Sequence, residues 1–449
     1  MSPWLNYTLD YDVLPAKAYD CIVSPMNPTD PFDILIHVQP WQGLLFDAEQ
    51  ILDLVAGQLG ASGLTLSIKA PDAQDAIALS PDENLLAVRV APGALFQPNG
   101  DRYASTRLRP VLSPTLKSRQ PAARLAGSCR DRSQRFRLRV SALRDAALAA
   151  RYPEIVSCNA LSLASPGHLC PSNPDVVELV RCQILDLSQQ FEPDVIELEN
   201  ITLPDRFQPA SATGTWPTQP GPVESALLAI CFCPSCRQQA IHAGVDAASA
   251  LRSVHVHLMR WLRNEKPRAG TIDDLLAEDD ILAAYAARQR KALLAAIQLW
   301  TRAAPDLSLL IAKDRISTHQ PTSHEDVPAA QPQVLAVDNQ PHRTGAPWNP
   351  SFGELAAIAP RLTFLAAPET SLEQYPHPTV ASGRALRLEA AIDAAAPSFA
   401  GGPDIVRCLG DLARAGLDAV QLENGLSVSP TRRPFIRQAI RTARRERNL

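Results

Sequence analysis

Aromatic side chains are scarce in this chain, 5% of its 449 residues, and its 20 glycines are outnumbered by 40 prolines. Few aromatics leave few platforms on which a flat ligand could stack, and proline in excess of glycine points to long, stiffened loops. No run of about 18 apolar residues occurs, so no membrane-spanning helix is expected. The start, Met1-Ser2-Pro3-Trp4, lacks the basic and apolar regions of a secretory signal, and the expected compartment is the cytoplasm. A surplus of positive charge is missing as well. The net charge of -4 and a pI near 6.2 offer no electrostatic footprint for nucleic acid or for a membrane surface. No Gly-x-Gly-x-x-Gly follows a strand and there is no P-loop, which weighs against a nucleotide-binding sheet. Nine cysteines, an odd number scattered over a long chain, do not form the framework of a disulfide-rich secreted protein.

What remains is an ordinary globular composition, 46% apolar and 20% charged, sufficient for a large core. Period-two alternation of apolar and polar residues marks strands. Eight segments carry it: 33–38, 64–69, 135–141, 193–200, 307–312, 362–366, 385–392 and 418–424. Helical patterns fall between most of them, at about 47–59, 122–132, 175–190, 246–263, 279–303, 351–359, 404–415 and 430–446. Strands alternating with helices predict a parallel sheet, and a count of eight favours a closed (β/α)8 TIM barrel with long proline-rich loop insertions. The expected organisation is an N-terminal arm, 1–32, and a single barrel, 33–449, with insertions at about 70–117, 200–245 and 314–350.

The same alternation gives each strand one polar face. His37, then Thr65, Ser67 and Lys69, then Arg137, Arg139 and Ser141, then Glu197 and Glu199, then Arg387 and Glu389, then Gln421 and Glu423 all fall on such faces. If helices cover the apolar faces, these polar residues converge inside the barrel, where ions persist only when paired. Such an interior suits a hydroxyl-rich ligand. Glycoside cleavage requires one carboxylic acid and one ionised carboxylate. Glu199, nearest the carboxyl end of its strand, is the candidate acid. Its candidate partners are Glu423 and Glu389, with Asp393 behind them. Glu197 lies a layer deeper and is expected to pair with Arg139 or Arg387. His37, Lys69, Arg139, Glu197, Arg387, Gln421 and Asn424 form the expected substrate-binding set. The expected partner is a small molecule or oligosaccharide, and a homodimer is a candidate assembly.

Cys231-x-Cys233-x-x-Cys236 has the spacing of zinc ligands, and Cys170, His168 or His242 could supply a fourth. A packed, reduced thiol cluster is the competing reading. His255 and His257, two apart on a helix, face different sides and do not make a pair. The basic C-terminal helix, with Arg432, Arg433, Arg437, Arg441, Arg444, Arg445 and Arg447, reads as a solvated outer helix.

The run His168-Leu169-Cys170-Pro171-Ser172-Asn173-Pro174, then a helix, then Asp194-Val195-Ile196-Glu197-Leu198-Glu199, then Cys231-Phe232-Cys233-Pro234-Ser235-Cys236 resembles the glycoside-hydrolase-like TIM-barrel proteins. Many of these carry an acidic fourth strand leading into a Cys-aromatic-Cys-Pro-x-Cys loop. The resemblance covers roughly 110–240 and extends toward the C-terminus. It implies a (β/α)8 barrel with sugar-related chemistry at the carboxyl ends of its strands. Where those proteins often place His and Tyr after strands two and four, this chain has Lys69-Ala70-Pro71 and Ile201-Thr202-Leu203-Pro204. Trp41, Trp216 and Trp348 are the loop candidates for sugar stacking. Two readings therefore stand beside the glycosidase: a catalytically inactive barrel serving as a ligand-binding or scaffold protein, and a metal-dependent lyase or hydrolase using the cysteine cluster.

Overall fold

The computed structural model describes residues 32–79, 85–116, 120–204, 220–265, 270–304, 306–311, 347–350, 352–366, 387–396, 399 and 403–447. Eight parallel strands close into one barrel. They are β1 (Asp33–Val38), β2 (Gly63–Ser67), β3 (Arg135–Ser141), β4 (Val195–Glu199), β5 (Leu307–Ile311), β6 (Arg361–Ala366), β7 (Arg387–Asp393) and β8 (Ala419–Glu423). Each pairs with its sequence neighbours, and β1 pairs with β8 through Asp33 opposite Ala419 and Ile36 opposite Leu422. This is the (β/α)8 TIM barrel, and every strand lies within two residues of its sequence-based limits.

The helices form where local chemistry starts and stops them. Helix Pro174–Phe191 begins with proline, which lacks the N–H that a first turn leaves unpaired anyway, and Asn173 caps it by accepting from the amide of Asp175. It ends at Glu192 in a left-handed conformation. Helices Pro121–Asp131 and Pro403–Arg414 likewise start on proline.

Outward strand residues such as Ile36, Leu66, Leu138, Leu198, Leu309 and Leu422 join the inner faces of the helices in one continuous core. Close strand contact makes a demand at Gly63. A Cβ there would collide with the backbone carbonyl of Arg135 on the adjacent strand, so the position admits no side chain.

Segment 70–117, expected to be irregular, contains an antiparallel hairpin of Gln74–Leu79 with Leu85–Val90. A second short pairing, Val156–Cys158 with Ala164–Leu169, lies in the loop after β3. Both are insertions at the carboxyl end of the barrel, and their strands are too short or too locally paired to show in a single-strand period. Residues 1–31 and most of 314–350, including His319, His324 and His342, lie outside the described residues, as does Trp216. Among the described residues, no helix is long and apolar enough to cross a membrane.

Candidate active site

A cleft of about 320 Å³ opens at the carboxyl ends of the strands. Parity brings residues from five strands to it: His37 from β1, Ser67 from β2, Arg139 from β3, Glu199 from β4 and Glu423 from β8. Loop residues complete the wall, among them Gln39, Lys69, Asp72, Arg144 and Asn200. The walls are polar almost throughout.

Arg139 is the centre of this arrangement. Its Nε donates to Glu197, its Nη2 to Glu423 Oε1 at 2.7 Å and its Nη1 to Glu423 Oε2 at 3.1 Å. Glu423 also contacts His37 Nδ1 at 2.5 Å and accepts from Gln421 Nε2 at 2.7 Å. Burial by itself would raise the Glu423 carboxyl. The charge of Arg139 and the hydrogen bonds from His37 and Arg139 outweigh it and hold the group down to about 2. Glu423 is therefore fixed and ionised at neutral pH.

Glu199 has the opposite environment. It is half-buried, and among the described residues no ion pair or hydrogen bond engages its carboxyl. Burial pushes it above the ordinary carboxylate range, with Arg139 and His37 only partly opposing. Two carboxyls in one cleft with environments that drive them apart are the usual basis for separate acid and base roles.

One layer below, Glu389 accepts from Arg137 Nη1 at 2.7 Å, from Arg361 and from Thr363 Oγ1 at 3.2 Å. Burial opposes ionisation there too, but the two arginines win and lower its pKa. Glu389 thus sits in a closed structural network and does not line the cleft. Arg387, expected beside it, is exposed at the start of β7. The register sets Arg387 opposite Arg361, and it is Arg361 whose side chain reaches the interior. Sequence parity alone cannot distinguish a residue at the barrel's amino-terminal rim from one inside it.

The other expected residues are placed as follows. Glu197 bonds Arg139, and among the described residues its second oxygen, buried, meets no partner; Gln421 Oε1 and Thr65 Oγ1 are orphaned in the same way. Such atoms are where an ordered water belongs. Lys69 is buried, pairs with Asp145 at 2.8 Å and donates to the carbonyl of Ser141 at 3.0 Å. Asn424 donates to Asp393 at 3.0 Å and is not among the residues that line the cleft. Trp41 is buried in a small apolar cluster, and Trp348 is fully buried with its indole N–H on the carbonyl of Pro204 at 3.1 Å. Neither offers a stacking face to a sugar.

Residues the sequence reading passed over include Gln39, Asp72, Arg144 and Asn200. Arg144 bonds Asp72 at 2.6 Å across the rim, a loop-to-loop contact with no period to reveal it. A signal for Asn200 does exist. β4 and β8 end in the same words, Leu198-Glu199-Asn200 and Leu422-Glu423-Asn424, and both asparagines adopt left-handed backbone, φ 53° and 55°. Asparagine tolerates that conformation better than most residues, so the repeated triplet marks two equivalent strand ends, each presenting a glutamate.

Apart from the cleft, Cys170, Cys231, Cys233 and Cys236 bring all four sulfurs within 4.8 Å of one another. Cys170 Sγ lies 3.4 Å from Cys236, 3.5 Å from Cys233 and 3.9 Å from Cys231. Tetrahedral zinc with Zn–S near 2.3 Å requires sulfurs about 3.8 Å apart. Amide N–H groups of Cys158 and Cys236 point at Cys231 and Cys233 sulfurs, at 3.4 and 3.5 Å. The four residues could therefore hold a metal ion. Of the three candidates for a fourth ligand, Cys170 joins the cluster; His168 lies beside Arg144, where burial and that charge lower it to about 4, and His242 lies at the end of helix Pro234–His242. His255 Nε2 donates to the carbonyl oxygen of Ala160 at 2.8 Å and takes no part.

No protein-family model matches this chain, and no curated protein does. Solved structures do resemble it. The catalytic domain of a β-amylase from Paenibacillus polymyxa superposes with a TM-score of 0.50 at 11% identity, covering 92% of this chain and 98% of that one. An α-L-fucosidase isoenzyme 2 from Paenibacillus thiaminolyticus gives 0.48 at 12% identity over 91% of this chain, and this chain spans 49% of that one. The PgaB glycoside hydrolase domain from Bordetella bronchiseptica gives 0.46 at 12% identity, with 90% and 98% covered. At such identities the likeness establishes the barrel and leaves the reaction to be argued from the site.

Proposed function

We propose that this barrel acts on a carbohydrate or glycoside by carboxylate chemistry at the mouth of the strands. Glu199 serves as the acid that gives a proton to the departing oxygen. Glu423, held ionised, stabilises or attacks the positive carbon left behind. The observation that supports this reading is the contrast between the two carboxyls: Glu199 is raised by burial and has no partner among the described residues, while Glu423 is lowered to about 2 by Arg139 and His37. A polar cleft of about 320 Å³ is at the small end of ligand-site volumes and fits one or two sugar units. The test is a panel of aryl glycosides and oligosaccharides with wild type and Glu199→Gln. Loss of about 10²–10⁴-fold in turnover is expected for the variant, and equal turnover by both proteins removes Glu199 from the role.

A second reading is favoured by a specific observation: Glu197, Glu389 and Glu423 are all locked to arginines, and the described tryptophans of the loops are buried. A barrel that binds a sugar without cleaving it would show saturable binding by calorimetry and no product. We also propose that the four-cysteine cluster holds one zinc ion as a structural staple between the loops after β3 and β4, and that these free thiols belong to a protein of the reducing cytoplasm.

A further inference from the structure

One contact in the cleft is not used by glycoside chemistry. Ser67 closes β2, and its Oγ lies 2.8 Å from His37 Nε2. The other ring nitrogen, Nδ1, lies 2.5 Å from Glu423 Oε2. An ionised carboxylate can only accept a hydrogen bond, so Nδ1 is the ring nitrogen that donates to Glu423, and Nε2 is the one that faces the serine hydroxyl. This sense of a carboxylate–imidazole–hydroxyl chain is the one that turns serine into a nucleophile. The chain is also rigid. Arg139 and Gln421 hold both oxygens of Glu423, which fixes the carboxylate that orients the ring. Ser67 and His37 are only 5% and 3% exposed, yet both line the cleft.

We infer that Ser67, His37 and Glu423 form a nucleophilic triad for acyl transfer, acting on short-chain carboxylic esters of hydroxyl-rich alcohols. This goes beyond the glycosidase reading and does not depend on it. The ester class follows from the lining: Pro40 and Pro71 are the apolar residues among Gln39, Lys69, Asp72, Gln74, Arg144 and Asn200, so a polar alcohol is accommodated and a long acyl chain is not. In the first step Ser67 Oγ attacks the ester carbonyl carbon while its proton passes to His37 Nε2. The tetrahedral adduct collapses, the carbon–oxygen bond to the alcohol breaks, and the departing oxygen takes the proton from Nε2. Water then attacks the acyl-serine by the same route, releasing the carboxylic acid and restoring the hydroxyl. Lys69 has three N–H groups, of which Asp145 and the carbonyl of Ser141 engage two. The third has no partner among the described residues and is left for the negative charge that develops on the carbonyl oxygen.

The test uses the full chain with a fluorophosphonate probe, read by intact mass and peptide mapping, beside hydrolysis of p-nitrophenyl acetate. One adduct per chain on the Ser67 peptide is expected. Ser67→Ala should abolish it, and Ser67→Ala and His37→Gln should each lower ester turnover by at least about 10³-fold. Absence of an adduct on wild-type Ser67, or turnover unchanged in Ser67→Ala, overturns the triad. Wild-type labelling decides the matter even if a variant fails to fold. Because the mass readout needs no sugar, failure here and failure of the glycoside panel are separate results.

Discussion

Replacing Arg139 by methionine is the sharpest perturbation the barrel interior offers. The guanidinium is 4% exposed and joins Glu197 and Glu423, so the variant leaves two interior carboxylates without their cation. Breaking a buried pair in this way costs about 3–5 kcal/mol. The pKa of Glu423 gives an independent scale. A fall from the ordinary 4.5 to about 2 corresponds to roughly 3 kcal/mol at about 1.4 kcal/mol per unit. A depressed carboxyl contributes stability that is fully present above pH 4.5 and is lost as the pH drops through about 2. In the variant, burial prevails and the carboxyl must take up a proton to remain inside. The deficit is therefore largest at neutral pH and narrows as the pH falls. At about 2.1 cal/mol/K per residue, the unfolding entropy of a chain of 449 residues turns this cost into a Tm lower by roughly 3–5 °C at pH 7. Thermal melts at pH 7 and pH 4.5 measure both features. Adding Glu423→Gln to the variant should restore part of the loss at pH 7 by removing one of the stranded charges. A variant melting within 1 °C of wild type at pH 7, or a deficit unchanged at pH 4.5, would refute the argument.

Further outcomes follow from other parts of the structure. Elemental analysis of purified protein should find about one zinc per chain, Cys236→Ser should lose it, and a strong chelator should lower the Tm of wild type but not of the variant; metal at background level in wild type would leave a packed thiol cluster instead. Arg361→Ala should destabilise by about 3–5 kcal/mol, because it strips a cation from buried Glu389. Arg387→Ala, at an exposed position, should stay within about 0.5 kcal/mol in the same denaturation experiment; equal effects would place Arg387 in the interior after all. Gly63→Ala drives a methyl into the carbonyl of Arg135 and should cost at least about 1–3 kcal/mol, seen as poor soluble yield or a depressed melt. If it folds like wild type, the strand spacing at that point is wrong.

Much of this architecture was legible in the chain because strands advertise themselves through a period of two. The alternation at 195–199 and 419–423 identified Glu197, Glu199, Gln421 and Glu423 as one inward-facing set, and eight such segments separated by helices defined a closed parallel barrel. Cys231, Cys233 and Cys236 announced a cluster through their spacing. Each of these signals is local, carried by neighbours in sequence.

What depends on closure was not legible. A strand's pattern says which side a residue faces, but not what stands across from it or at what height, since both are set by the stagger between strands when the sheet closes on itself. That stagger made Arg361 rather than Arg387 the partner of Glu389, gave Glu423 to Arg139 and His37, and left Glu199 without a partner among the described residues. It also brought Ser67 of β2 to His37 of the adjacent β1 and delivered Cys170 from 61 residues before Cys231. The sequence alone determined the barrel and the polarity of its lining; the tertiary structure alone decided which charges neutralise one another, and so which carboxyl remains available for chemistry.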